Sequence, residues 1–175
     1  MKPIIGVPVK NDFESFANMI TSLISSTDWY EKIIIVEGGS TDGCDKYCDY
    51  LANTYRRIEV IHMKCNSPLE AYNKLFDIAK NEKKDLLITQ TDVIFPKLYK
   101  RDWLQSFSRI AEDKIVGAVT CINGSGVSGP DYVDGLEWLG GWCTYLPYRT
   151  IDLLGGFDES YPEGHYGVDV DYTVK

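Results

Sequence analysis

The chain has little of what a structural zinc site, a nucleic-acid surface or a membrane span requires. Only two histidines and no Cys-x-x-Cys pair occur in its 175 residues, which argues against structural zinc. A net charge of −8 argues against nucleic acid as a partner, because phosphate backbones are bound by cationic surfaces. No apolar run reaches membrane-spanning length and no basic leader comes first. The sequence therefore predicts a cytoplasmic protein and leaves peripheral contact with a membrane open.

Two phosphate-binding fingerprints are also missing. The first strand leads into Pro8-Val9-Lys10-Asn11-Asp12, with neither a Gly-x-Gly-x-x-Gly turn nor a Walker loop. A bound phosphate would then need a cation, and Asp92 at the end of an apolar strand is a suitable ligand for Mn²⁺ or Mg²⁺. The alternative for Asp92 is an N-cap of the turn that follows. The five cysteines, an odd number, indicate reduced thiols, although Cys44 and Cys48 have the spacing of a helical turn.

Hydrophobic periodicity predicts an alternating β-α-β-α-β-α-β-α-β chain. Asp12 is predicted to cap the first helix, Thr41 or Asp42 to begin the second, and Ser67-Pro68 to open the third. The fourth helix is predicted over residues 96–112. The predicted strands are residues 3–9, 32–36, 58–63, 85–91 and 114–123. This pattern predicts an α/β domain with a mainly parallel sheet flanked by helices.

The last third of the sequence changes in character. Glycines and a proline predict a loop over residues 123–135, which we interpret as a lid. Trp142 and Tyr145 have two interpretations, stacking on an acceptor sugar or packing in a core strand. Arg149 is either a phosphate or acceptor contact or a surface residue. A short helix over residues 150–154 is predicted to stop at Gly155.

Carboxylates follow several of the predicted strands and elements. Glu37 ends the second strand, Asp92 follows the fourth, and Asp169 lies near the C-terminus. In an alternating strand and helix chain, groups at the carboxyl ends of strands converge on one crevice. The sequence therefore predicts a crevice for a metal and a phosphorylated ligand.

Six strings in order make the chain resemble the family 2 glycosyltransferases. The family pattern is a Pro-x-x-Asn turn, Val-Asp-Asp-Gly-Ser-x-Asp, Ala-x-Asn, Asp-x-Asp, and Gly-Gly-Phe-Asp-Glu followed by Glu-Asp-x-Asp. The corresponding residues here are 8–11, 36–42, 71–73, 90–92, 155–159 and 168–171. The resemblance covers nearly the whole chain and implies a GT-A, Rossmann-like fold. It also implies one domain, with residues 1–122 as the nucleotide-sugar half and residues 123–175 as a smaller acceptor half.

The resemblance implies metal-assisted transfer of a sugar from a UDP- or GDP-sugar to an acceptor hydroxyl, with inversion. Asp169 matches the catalytic base, and Asp92 would hold Mn²⁺ or Mg²⁺ on the diphosphate. Glu37 would accept the N–H of the nucleobase. The acceptor is a glycan, a lipid carrier or a protein. The other implied substrate-binding residues are Pro8, Lys10, Asn11, Gly39, Ser40, Asn73, Gln90, Thr91, Trp142 and Arg149.

Three positions depart from the family pattern, because Gly38, Gln90 and Val168 stand where acids are common. These departures keep a second hypothesis open, a nucleotide-sugar-binding module without catalysis. A third hypothesis, a sugar nucleotidyltransferase, would require a Gly-rich basic loop after the first strand. The turn at residues 7–11 has no glycine run and argues against it.

Overall fold

The computed structural model describes residues 1–95, 97, 102–113, 119–120, 131–133, 136–138 and 143–160. The strands alternate with helices through the first two thirds of the chain. The strands are β1 (Ile4–Val9), β2 (Lys32–Glu37), β3 (Ile58–His62), β4 (Leu86–Thr89), β5 (Val119–Thr120), β6 (Asp131–Val133), β7 (Leu136–Trp138) and β8 (Cys143–Leu146). The helices are α1 (Phe13–Ser26), α2 (Cys44–Thr54), α3 (Pro68–Glu82), α4 (Trp103–Ala111) and α5 (Tyr148–Leu154).

The main sheet has the strand order β3-β2-β1-β4-β8-β5. Strands β1 to β4 pair in parallel. Strand β8 pairs antiparallel with β4 on one side and with β5 on the other, so β5 runs in the same direction as β4. The prediction of a mainly parallel sheet flanked by helices is therefore confirmed, with β8 as the one reversed strand among the described strands of this main sheet.

Two apolar cores cover the two faces of this sheet. Alternate residues of β1 and β2 point to opposite faces, as the period of a strand requires. Ile5 and Ile33 pack with α1 and α2 in one core, whereas Ile4 and Ile34 pack with α3 in the other. Burial on both faces explains why these strands are runs of β-branched residues rather than alternating patterns.

Several predicted boundaries and caps are confirmed. Helix α3 begins at Pro68, and the Ser67 hydroxyl accepts a hydrogen bond from the Leu69 N–H at 3.0 Å. Helix α5 ends at Gly155, whose φ of 77° suits glycine. Tyr145 is fully buried in β8, which confirms its core interpretation. Cys44, Cys48, Cys65 and Cys143 are buried free thiols.

Other local predictions are wrong. Helix α4 begins at Trp103 rather than at residue 96, because Asp102 accepts the N–H of Gln105 at 3.0 Å and caps it there. Residues 131–133 form β6, a hairpin with β7, inside the segment predicted as a loop. The rest of the predicted lid, residues 123–130 and 134–135, lies outside the described residues. Within the part of the chain that the structure describes, no helix is long and apolar enough to cross a membrane.

Candidate functional site at the carboxyl edge of the sheet

The carboxyl ends of four parallel strands lie side by side. Val9 of β1 pairs with Glu37 of β2, and Glu37 pairs with His62 of β3. Strand β4 flanks β1 on the other side. The loops that follow these strands therefore meet at one edge of the sheet, as the sequence predicted for a ligand crevice.

The loops after β1 and β2 bond to each other. The Asn11 N–H donates to the Ser40 hydroxyl at 2.9 Å, and the Thr41 N–H donates to the Asn11 side-chain oxygen at 2.7 Å. Asn11 has a φ of 51°, a left-handed conformation that asparagine tolerates better than most residues. Asn11 and Ser40, both predicted at the substrate site, thus hold the loops after β1 and β2 together.

Glu37, predicted to accept a nucleobase N–H, contacts Ser40 and His62 in this structure. Only 3% of the residue is exposed. One carboxylate oxygen accepts the Ser40 N–H at 2.5 Å, and the other lies 3.2 Å from His62 Nδ1. Glu37 therefore anchors the loop after β2 from inside, and its contact with a nucleobase stays a prediction.

Sequence reasoning missed His62, which joins Glu37 to helix α2. Its Nε2 lies 2.9 Å from an Asp49 carboxylate oxygen, and its side chain is 45% exposed. Hydrogen bonds to Asp49 and Glu37 raise the pKa of His62. Burial opposes ionisation of Glu37, but hydrogen bonds from Ser40 and His62 hold its pKa below the ordinary value. The missed signal was the strand-end position of His62 beside Glu37.

Lys10 lies across Gly38. Its ammonium donates to the Cys65 carbonyl at 2.7 Å, and a Cβ built on Gly38 would come within 3.2 Å of the Lys10 Cβ and 3.3 Å of its Cδ. The space that an acidic side chain at position 38 would need is therefore bordered by the lysine. Pro8 lies in β1, two residues before Lys10. Gly39, which follows Gly38, is exposed and has a φ of 85°.

The end of β4 carries the residues predicted to bind the metal. Gln90 and Asp92 are exposed, and Thr91 between them is half-buried. The Thr91 hydroxyl donates to an Asp12 carboxylate oxygen at 2.5 Å. Asp12 was predicted to cap α1, but its side chain makes no capping bond. Asp42 accepts the Phe13 N–H at 2.8 Å instead, and the prediction for Asp12 is wrong.

Asn73 of α3 holds the turn after α5. Its amide donates to the Phe157 carbonyl at 2.9 Å and to the Glu159 carboxylate at 2.7 Å, and its oxygen accepts the Phe157 N–H at 2.7 Å. The Phe157 ring packs edge-on against Tyr72 and Phe76. Asn73 therefore acts as a structural clamp for this turn, and its contact with substrate stays a prediction.

Arg149 lies at the opposite end of the sheet from this edge. Because β8 runs antiparallel to β4, Leu146 pairs with Leu86 at the start of β4, and α5 begins there. Arg149 donates to the Asp113 carbonyl at 2.6 Å. Arg149 is exposed, which agrees with its alternative interpretation as a surface residue, and its contact with phosphate or acceptor stays a prediction. Trp142 and Asp169 lie outside the described residues.

Comparisons with known proteins identify the family of this chain. A model of glycosyl transferase family 2 matches residues 4–149. The chain belongs to that family. A curated relative, the uncharacterized glycosyltransferase YibD of Escherichia coli K12, is 27% identical over 94 residues, which are 54% of this chain and 27% of YibD.

Solved structures share the fold. The mannosyltransferase PcManGT from Pyrobaculum calidifontis, in complex with GDP-Man and Mn²⁺, has a TM-score of 0.71 at 17% identity, covering 98% of this chain and 52% of that chain. S. aureus TarS 1-349 in complex with UDP has a TM-score of 0.70 at 17% identity, covering 98% and 54%. The family member described here thus has the predicted GT-A fold, and it spans about half the length of these structures.

Proposed function

We propose that this family 2 member transfers a sugar from a nucleotide-diphospho-sugar to an acceptor hydroxyl, with inversion at the anomeric carbon. The observation that carries the proposal is the family match over residues 4–149, on a sheet whose polar strand ends meet at one edge. The similar mannosyltransferase holds GDP-Man and the similar TarS holds UDP. UDP- and GDP-sugars are therefore the donors to test, with a glycan, a lipid carrier or a protein as the acceptor.

The groups after β4 fit a hard divalent cation. Asp92 offers a carboxylate and Gln90 an amide oxygen, both exposed, and Mn²⁺ and Mg²⁺ prefer oxygen ligands. Among the described residues no group of three or more His, Cys, Asp or Glu could hold a metal. Such a cation would accordingly rely on the donor's phosphates for further ligands, and when bound it would stabilise negative charge on the departing diphosphate.

The chain's own residues would bind and orient the reactants. Pro8, Lys10, Gly39 and Ser40 would line the nucleoside pocket. Asp169 would accept the proton of the acceptor hydroxyl as its oxygen bonds to the anomeric carbon and the bond to the leaving phosphate oxygen breaks. A positioned carboxylate base typically contributes about 10²–10⁴-fold to such a reaction.

The donor site can be tested by calorimetry with UDP and GDP, each in Mn²⁺ and in EDTA. We expect one nucleotide to bind in Mn²⁺ and to bind at least about tenfold more weakly in EDTA or in Asp92→Asn, because a metal ligand is lost. Asp77→Asn, an exposed change on α3, is the matched control. Binding that is equal in EDTA and in Asp92→Asn would refute the metal role, and no binding of either nucleotide would refute the donor class.

The replaced acids favour a second candidate, a module that binds nucleotide-sugar without transferring it. Gly38, Gln90 and Val168 are the observation behind this alternative. Nucleotide release from GDP-mannose or UDP-GlcNAc separates the two candidates. Release that is lost in Asp169→Asn supports the transferase, whereas binding with no release, in water or with a panel of sugar acceptors, supports the module.

A further inference from the structure

Asp12 has a carboxylate that its local structure does not use. It occupies the N-cap position of α1, where an aspartate side chain ordinarily accepts a helix N–H. Here it makes no capping bond, because Asp42 from the loop after β2 accepts the Phe13 N–H. The Asp12 side chain is instead directed to the neighbouring strand end, where it accepts the Thr91 hydroxyl at 2.5 Å.

Thr91 lies between Gln90 and Asp92, so this bond brings a carboxylate to the predicted metal-binding string. Strands β1 and β4 are direct neighbours in the sheet, which explains how a residue that follows β1 reaches a residue that follows β4. Within the described part of the chain, Asp12 and Asp92 form no ion pair with a Lys, Arg or His. Asp12 is half-buried and Asp92 is exposed.

We infer that Asp12 is the second carboxylate of the metal–diphosphate site and takes the place of the acid that Gln90 has replaced. This inference rests on the proposed function. One oxygen of Asp12 accepts from Thr91, and the other has no hydrogen-bond partner among the described residues. Divalent cations on substrate phosphates are typically held by one or two protein carboxylates. The Thr91 hydroxyl, by donating to one Asp12 oxygen, would orient the Asp12 carboxylate toward the metal.

The competing explanation is that Asp12 only ties the loop after β1 to β4. Asp12→Asn separates the two explanations, because asparagine keeps an oxygen for Thr91 and is an equally good N-cap residue, but it removes the charge. Gln90→Asp restores a carboxylate at the position where the family pattern has one. If the negative charge near the metal determines Mn²⁺ affinity, the double variant Asp12→Asn/Gln90→Asp should recover the affinity that Asp12→Asn loses.

The experiment measures free Mn²⁺ by its electron paramagnetic resonance signal, with the full chain, alone and with saturating UDP or GDP. We expect Asp12→Asn to weaken Mn²⁺ binding in the presence of nucleotide by about 10–100-fold. The double variant should return to within about threefold of the wild type, and Asp77→Asn should be unchanged. Melting temperatures in EDTA should be the same for Asp12→Asn and the wild type.

Several results would overturn the inference. Equal Mn²⁺ affinity in Asp12→Asn and the wild type would show that the carboxylate is not a ligand. A loss of Mn²⁺ affinity in Asp12→Asn that Gln90→Asp does not recover would indicate that Asp12 only links the loop after β1 to the end of β4. Nucleotide binding that ignores Mn²⁺ would remove the metal but keep the proposed donor site. Absence of nucleotide and Mn²⁺ binding in the wild type would remove both proposals.

Discussion

His62→Gln tests whether an ionised histidine holds the loop after β2 in place. Both ring nitrogens of His62 lie within hydrogen-bond distance of carboxylate oxygens, at 3.2 Å from Glu37 and 2.9 Å from Asp49. Ionised carboxylates only accept hydrogen bonds, and a neutral imidazole has one N–H. The geometry therefore favours an imidazolium with an N–H on each nitrogen, and a neutral histidine would lose one of the two contacts.

The pH dependence follows from the direction of two pKa shifts. Hydrogen bonds to Asp49 and Glu37 raise the pKa of His62 in the folded protein. Its contribution to stability is complete below the unfolded value of about 6.5 and is lost as the pH rises through the higher folded pKa. Glu37, whose folded pKa is lowered, contributes above its unfolded value of about 4.3 and loses this contribution in acid. The network is strongest between about pH 4.3 and 6.5.

The size of the effect follows from exposure. The Asp49 side chain is 63% exposed, so its contact with His62 is screened and contributes roughly 0.2–1 kcal/mol. The Glu37 side chain is 4% exposed, and a hydrogen bond to such a charged group contributes roughly 1.5–3 kcal/mol before screening by the half-exposed ring. After that discount we expect the two contacts together to contribute about 1–2 kcal/mol.

Urea unfolding at pH 5.5 and pH 8.5 measures this contribution. The wild type should lose about 1 kcal/mol more of its unfolding free energy than His62→Gln between these pH values, since glutamine does not titrate. Lys84→Gln, which breaks the exposed pair of Lys84 with Glu31, is the control and should keep the wild-type pH dependence. Equal pH dependence in His62→Gln and the wild type would refute the imidazolium assignment.

Two further predictions concern packing away from the strand ends. Gly156→Ala should destabilise the fold by about 1–3 kcal/mol, because its Cβ would lie 2.3 Å from the Asn73 side-chain oxygen; an unchanged melting temperature would contradict the clamp. Tyr145→Phe should cost about 1–3 kcal/mol in urea unfolding, since its buried hydroxyl donates to Asp85 at 2.7 Å, whereas Tyr50→Phe, on an exposed residue, should cost little.

The sequence was sufficient for the features that depend on near neighbours in the chain. The runs of β-branched residues in β1 and β2 and the Ser67 cap of α3 follow from local periodicity and capping chemistry. The GT-A architecture followed from the order of the family strings. The antiparallel direction of β8 did not, because short apolar runs carry no signal for strand direction.

The wrong prediction for Asp12 has a physical cause, which is competition between residues distant in the chain. Asp12 and Asp42 both have the chemistry to cap α1, and the cap is made by Asp42, 29 residues away from Phe13. The contacts of Glu37 with His62 of the next strand and with the Ser40 N–H are likewise between residues distant or non-adjacent in the chain. Spacing along the sequence does not show which of two suitable side chains, such as Asp12 and Asp42, will accept a given N–H in the folded protein.

The replaced acids of the family pattern do not share a single explanation. At position 38 the packing accounts for glycine, because Lys10 borders the space where a side chain would stand. At position 90 the glutamine is exposed, so burial does not explain the loss of an acid there. A loss of charge at an open position is tolerated when another carboxylate supplies it. The exposed position of Gln90 and the Asp12 carboxylate, which does not cap α1, therefore support the same inference. Mn²⁺ binding by the double variant Asp12→Asn/Gln90→Asp decides it.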